Sequence, residues 1–413
     1  MAEPKNGNFR QSITRKLRIA MLGSRGIPHS YSGYEQFLGE VAPRLVARGH
    51  DVIVYCRRSL FKERPKQYKG VQLIYLPGIE TKTLGTLTHT FVSIADVLFR
   101  SVDVIFVVNV VNAFNCILPR LLGKNVAINV DGLDWKRGKW GPLGKRFFYW
   151  NAKYVGRICP RGVVTDAQEM RRIYLDEFAT PSVSIAYGAN IEKSANPGIL
   201  QEYGLRPSRY YLVASRLVPE NNAALIVQAF EKVKSSRLLV IAGNANYRSA
   251  FVDKLKQTKD PRVKFLGHIG NPEHVKELHC NSYAYIHGHS LGGTNPALLK
   301  ALGYGNCVLA LNTAFNREVM QDYGIFFENH PADLANKIQQ IENHPETAAR
   351  FRLRAPERIR ESYTWETITD QYEELFLQLA AGVDPTKVHS TLKQAYRPPE
   401  QHAVTVSSVS ANR

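Results

Sequence analysis

The stretch RIAMLGSRGIPHSYSGYEQFLGEVAPRLVARGHDVIVYC, running from Arg18 to Cys56, decides the fold. Arg18 to Leu22 reads as a strand, and a glycine-containing loop, Gly23-Ser-Arg-Gly26, follows it. From Glu35 to Arg48 the apolar residues Phe37, Leu38, Val41, Leu45 and Val46 recur at helical spacing. Gly49-His50 stops that pattern, and Asp51 to Cys56 forms the next apolar run. A strand–helix–strand unit predicts parallel pairing, because two parallel strands need a long crossover between them.

The second half repeats the plan. Strands are expected at Tyr210–Ala214, Leu238–Ala242, Val263–Leu266, Ser282–Ile286 and Cys307–Leu311, and helices at Asn222–Val233 and Pro296–Leu302. The pattern breaks between Ala186 and Gly198, where Tyr187-Gly-Ala-Asn190 and Asn196-Pro197-Gly198 stand. The expected architecture is α/β, with two doubly wound domains and a ligand cleft at the carboxyl ends of their strands. Residues 1–15 and 384–413 read as disordered tails. The longest apolar stretch, Val102 to Leu118, is interrupted by Asp103 and three Asn, too short and polar to span a bilayer.

The chain has 413 residues, with 54 Lys and Arg against 36 Asp and Glu, a formal charge of +18. Its 44% apolar and 10% aromatic content excludes collagen-like, coiled-coil and mainly disordered designs. Such a positive surplus suits nucleic acid, an anionic membrane face or a phosphorylated small molecule. No recognised nucleic-acid module accompanies it, so no nucleic-acid partner is expected. Cys56, Cys116, Cys159, Cys280 and Cys307 are widely spaced without a CxxC pair, which predicts buried thiols and a cytoplasmic setting. Met1 to Lys16 is polar and basic, unlike a signal peptide.

Three segments could carry chemistry. The loop from Gly23 to Gly33 joins a strand to a helix, where glycines let backbone approach a ligand; an ordinary tight turn reads equally well. It is neither GxGxxG nor a P-loop. The segment His287-Gly-His-Ser-Leu-Gly-Gly-Thr-Asn-Pro296 opens a helix with Asn295 at N-cap and Pro296 at N1. Gly292 and Gly293 clear the space before that N-terminus, so the helix dipole and free N–H groups suit a diphosphate; a capped helix after a glycine turn is the plainer reading. Arg216 follows the first strand of the second half, where its fork suits phosphate oxygens or a surface salt bridge. There is no DxD and no His/Asp/Glu cluster at metal spacing, so neither a metal nor a cofactor is expected.

Together these segments resemble glycosyltransferase family 4, the retaining nucleotide-sugar transferases of the GT-B fold, and within it the bacterial rhamnosyltransferase-like subgroup. The likeness spans about residues 16 to 380, through Arg25-Gly-Ile-Pro28, Tyr34-Glu35-Gln-Phe37, Arg48-Gly-His-Asp-Val52 and Asp131-Gly-Leu-Asp-Trp-Lys-Arg-Gly-Lys-Trp140. In the second half it runs through Arg216-Leu-Val-Pro-Glu-Asn-Asn222, Gly288 to Pro296 and Thr364-Trp-Glu366. The resemblance implies two Rossmann-like domains, 16–187 for the acceptor and 188–360 for the nucleotide sugar, with 361–383 crossing back to the first. It implies transfer of a sugar, rhamnose or another deoxysugar, from a nucleotide diphosphate to a glycan or lipid-linked acceptor, in surface polysaccharide synthesis at the inner membrane face.

Carried over residue by residue, the donor side comprises Arg216, Asn221, His268, Ile269, His289, Gly292, Gly293, Thr294, Asn295 and Lys300. The cleft loop side comprises Gly23, Gly26, Gly33, Glu35 and Trp135, with Asp131 as the catalytic candidate, to orient a hydroxyl or stabilise oxocarbenium-like charge. Two departures stand out. Asn221 occupies the place of a Lys in much of the wider family. Lys300 occupies that of a Glu that accepts hydrogen bonds from ribose, which an ammonium cannot do. Either Lys300 reaches the diphosphate instead, or the donor site is impaired and the chain is a binding or scaffold protein.

Between Asp131 and Arg172 ten Lys or Arg face four Asp or Glu, interleaved with Trp135, Trp140, Phe147, Phe148 and Trp150. That mixture predicts peripheral contact with an anionic membrane, or a solvated helix face with core aromatics.

Overall fold

The computed structural model describes residues 15–28, 33–81, 84–138, 140–244 and 250–387. The expected disordered tails lie outside them, apart from Arg15 and residues 384–387, which hold a helical turn. Asp384 Oδ1 accepts the Thr386 N–H at 3.0 Å there.

The first half forms an eight-stranded sheet from β1 (Arg18–Leu22), β2 (Asp51–Arg57), β3 (Gln67–Tyr68), β4 (Val71–Leu76), β5 (Val104–Val108), β6 (Asn125–Val130), β7 (Val163–Thr165) and β8 (Val183–Ser184). Its order is β3-β4-β2-β1-β5-β6-β7-β8. Every pairing is parallel except β3 with β4. The second half forms a parallel six-stranded sheet from β9 (Tyr210–Ala214), β10 (Leu238–Ala242), β11 (Val263–Gly267), β12 (Ala284–His287), β13 (Val308–Leu311) and β14 (Ile325–Phe327), in the order β11-β10-β9-β12-β13-β14. In each sheet the first strand sits where the winding reverses direction, the place that opens a crevice beyond the carboxyl ends.

Side chains alternate across a strand, so one apolar run serves two layers. Ile19 and Met21 of β1 face α1 (Gly33–Ala47), which brings Phe37, Leu38, Val41 and Leu45. Ala20 and Leu22 face the opposite layer. That layer holds α2 (Gly85–Leu98), a 3-10 segment (Val110–Cys116), α3 (Ile117–Leu121), α4 (Pro142–Ile158) and α5 (Gln168–Phe178). The second sheet is wrapped likewise. On one face lie α6 (Ala223–Phe230), α7 (Ala250–Leu255) and α11 (Pro331–Asn343), and on the other α8 (Pro272–Cys280), α9 (Pro296–Gly303), α10 (Ala314–Met320) and α12 (Pro345–Ser362). The helix expected from Asn222 begins one residue later, because Asn222 takes a left-handed φ of 54° after the 3-10 turn Pro219–Asn221.

The last helix, α13 (Trp365–Ala380), lies on the first sheet rather than the second. Tyr372 sits 4.8 Å from Phe37 and 5.3 Å from Phe106, ring centre to ring centre. Glu373 draws Arg48 Nη1 at 2.6 Å and His50 Nε2 at 2.8 Å. One isolated bridge, Ala189 with Thr364, joins the two segments that pass between the halves. Among the described residues no helix is long and apolar enough to cross a membrane. All five cysteines are buried and unpaired.

Candidate active-site cleft

The loops after β1, β6 and β7 meet those after β9 and β12. Gly23 has φ +98°, and a Cβ there would stand 2.5 Å from the Val108 carbonyl oxygen, so only glycine lets this loop lie against β5. Gly26 packs the same way on Cys56. Glu35, 3% exposed, accepts the Arg25 N–H at 2.9 Å and folds the loop onto the first turn of α1. Gly33 faces Pro296 of α9, whose Cγ is 3.2 Å from where a Cβ would be.

Asp131 follows β6 directly. Its Oδ2 accepts the Tyr187 hydroxyl at 2.7 Å, and its Oδ1 accepts the Tyr34 hydroxyl. Burial raises its pKa, Asp134 adding to the effect, and the two tyrosine hydrogen bonds with Arg137 oppose it. Asp134 in turn accepts the Trp140 indole N–H at 3.2 Å. Asp166 follows β7 and is 2% exposed. Its Oδ1 finds no partner among the described residues. Burial, then the charge of Asp131, holds the Asp166 carboxyl well above the usual carboxylate range.

On the opposite wall, Arg216 is exposed at the end of β9. His268 is exposed after β11, and Ile269 is half-buried against the core. The rings of His287 and His289 stack 4.2 Å apart. His287 Nε2 and His289 Nδ1 are buried without partners among the described residues. Burial, with help from Arg216 and Arg137, lowers His289 to about 3, and burial holds His287 well below its ordinary value. Both rings are therefore neutral near pH 7, which leaves Arg216 and Arg137 as the cations at this point. Asn295 Oδ1 caps α9 through the Ala297 N–H at 2.9 Å. Gly292 has φ +129° and open space about it. The Lys300 side chain, half-buried on α9, makes no hydrogen bond or ion pair among the described residues. Burial lowers its pKa and Glu192 counteracts.

Besides Gly33 with Pro296, the walls touch at further points among the described residues. Gly293 abuts Asp166, and the Thr294 hydroxyl donates to the Asp166 carbonyl oxygen. Glu318 of α10 accepts the Gln168 and Glu169 N–H groups at 2.7 and 3.1 Å, capping α5 from the other half. The Gly138 N–H reaches Glu220 Oε1 at 2.8 Å. Chemically, one wall offers cations and a helix N-terminus for an anion, and the other offers carboxyls with raised pKa for a hydroxyl.

Not every expected residue faces the cleft with its side chain. Trp135 packs against Tyr149, Tyr174 and Phe178 at 9% exposure, because the 3-10 turn Asp134–Lys136 sends its ring into the core. The Asn221 amide nitrogen is committed to the Arg216 carbonyl at 2.8 Å and so shapes the arginine's loop. Thr294 is likewise committed to Asp166. Sequence reasoning missed Asp166, Arg137 and Glu318. Only Asp166 carried a signal, a carboxylate closing the apolar run Gly162–Thr165. Among the described residues no group of three or more His, Cys, Asp or Glu could hold a metal ion.

Residues 16–190 match a family described as a domain of unknown function (DUF1972), and residues 200–358 match the family Glycosyl transferases group 1. No curated protein matches the chain. Among solved structures it is similar to sucrose-phosphate synthase from Thermosynechococcus elongatus, at 16% identity over 89% of this chain and 100% of that one, TM-score 0.73. It is similar to a glycosyltransferase from Rickettsia africae, at 15% identity over 88% and 98%, TM-score 0.68. HepE of Anabaena in complex with UDP-glucose aligns at 15% identity over 87% and 98%, TM-score 0.67. The likeness of these structures over nearly their whole length shows the fold to be GT-B.

Proposed function

We propose that the chain transfers a sugar, rhamnose or another deoxysugar, from a nucleotide diphosphate to a glycan or lipid-linked acceptor, retaining the anomeric configuration, in polysaccharide synthesis at a membrane surface. The observation that carries it is the juxtaposition of Gly293, just before the α9 N-terminus, with Asp166 across the cleft, within the span that matches the Glycosyl transferases group 1 family. HepE holds UDP and UDP-glucose in its structures, which supports a nucleotide sugar as the donor class.

In this reading Arg216 and the α9 N–H groups take the diphosphate, with the donor base along His268 and Ile269. Charge accumulates on the leaving diphosphate, and fixed cations and dipoles there stabilise it without reorganising. Asp131, held by Tyr34 and Tyr187, orients the acceptor hydroxyl. Residues 16–187 then hold the acceptor and 188–360 the donor.

Titration with UDP, GDP and dTDP, followed by transfer assays with their sugars and NMR of the product anomer, tests this. Binding of one nucleotide in the micromolar range and a product with the donor's configuration are expected; no binding at millimolar ligand overturns the reading. Lys300 favours the second reading, a catalytically impaired binding or scaffold protein. Tight nucleotide binding without transfer to any acceptor would select it.

A further inference from the structure

The helices over one face of the first sheet lie side by side. α2, the 3-10 segment with α3, and α4 all contribute core residues to it, including Ile94, Cys116 and Phe148. Asn115 Nδ2 donates to the Leu87 carbonyl at 3.2 Å, tying the middle segment to α2. The rings of Phe114 and Phe147 meet at 6.2 Å, tying it to α4. Their inward faces are therefore satisfied, yet their outward faces are apolar as well. Leu118, Leu121 and Leu122 are 47%, 79% and 59% exposed. Leu143, Phe147 and Trp150, spaced by four and three along α4, are 85%, 36% and 37% exposed and form one stripe. A contiguous apolar surface on a globular protein marks an interaction site.

The charge around it selects the occupant. α4 carries Lys145, Arg146, Lys153 and Arg157 and no acidic residue, and Arg120 and Lys124 flank the α3 leucines. Lys153 lies 5.6 Å from the Trp150 ring centre, and Arg157 5.6 Å from that of Tyr154. A second copy of the chain would bring like charge against like charge. An anionic lipid interface would neutralise the cations and take up the leucines and the tryptophan at headgroup depth.

We infer that the α3–α4 face docks the protein on an anionic phospholipid surface, inserting Leu118, Leu121 and Leu122 beside the Leu143–Phe147–Trp150 stripe. The start of α4 is tied to the cleft wall, since Trp140, just before it, donates to Asp134 beside Asp131. A lipid-linked acceptor would approach Asp131 from this side, a use that rests on the transfer reading; the docking itself does not.

The full chain, with neither donor nor acceptor, is sedimented with vesicles of phosphatidylcholine alone and of equal parts phosphatidylcholine and phosphatidylglycerol. Anionic vesicles should bind about tenfold or more tightly than neutral ones, with the advantage falling as salt rises. L121E/L122E should weaken binding about tenfold or more at an unchanged melting temperature, and leave nucleotide binding intact. Should that variant unfold, K145E/R146E provides the same readout through charge. Equal binding to both vesicle types, undiminished binding in the variants, or a concentration-dependent dimer that L121E/L122E dissolves would each overturn the inference.

Discussion

The space that a side chain at Gly293 would fill belongs to the carboxylate of Asp166: a Cβ there would lie 1.8 Å from Asp166 Oδ1. Gly293→Ala should therefore hold the two walls apart. Transfer is expected to fall about a hundredfold, because a displacement of roughly an ångström costs that much in positioning. Pairing it with Asp166→Gly, which vacates the same space, should restore closure, read as recovery of donor affinity. No activity loss in Gly293→Ala would mean the walls need not meet.

Asp166 should make stability depend on pH. Its folded pKa stands well above the ordinary carboxyl value, through burial first and then Asp131. Between the unfolded pKa and the raised folded one, the native state keeps a proton that the unfolded chain has released. Stability is thus lost as pH rises from about 4 through that window. Asp166→Asn removes the penalty, so it should be more stable at pH 7 by on the order of 1–3 kcal/mol, with the difference closing near pH 4. Calorimetry at the two pH values checks it; a less stable variant at pH 7 would contradict it.

For Asp131, Asn substitution should lower turnover about a hundredfold or more while donor binding and the melting curve stay unchanged. Tyr187→Phe is the finer test. The Tyr187 hydroxyl favours the Asp131 carboxylate, so its loss raises that pKa further and should shift the acid limb of the rate profile to higher pH. Unaltered turnover in Asp131→Asn would confine this residue to a structural turn.

Lys300→Glu would set a second carboxylate near Glu192 on a half-buried helix face. Nucleoside diphosphate affinity should fall about tenfold, close to 1.4 kcal/mol, and Lys300→Met should show the same loss without the repulsion. Isothermal titration measures both. Tighter binding in Lys300→Glu would remove Lys300 from the donor contacts.

The two doubly wound sheets and most strand positions were legible because apolar runs and helical periods are local, whereas the order of strands within each sheet was not. β1, β9 and β10 lie where the pattern put them, to the residue. The site was legible only where a local device announced it, as at the Asn295 cap and the glycines. Asp166 and Glu318 act across the cleft, and no spacing along the chain encodes a contact 128 or 150 residues away. The place of Trp135 was hidden for the converse reason: it stands four residues after Asp131, yet its ring joins a core assembled from α4 and α5.

The return of α13 to the first sheet separates the unit of sequence from the unit of folding. A fragment ending at residue 190 would contain all eight strands of its sheet yet lack Tyr372, Leu375 and Phe376, which roof Phe37 and Phe106. Expressed alone it would present a sticky, half-covered slab, prone to aggregate. Grafting 363–380 back onto it, across a linker bridging the place of the excised half, is what would turn that slab into a free-standing module.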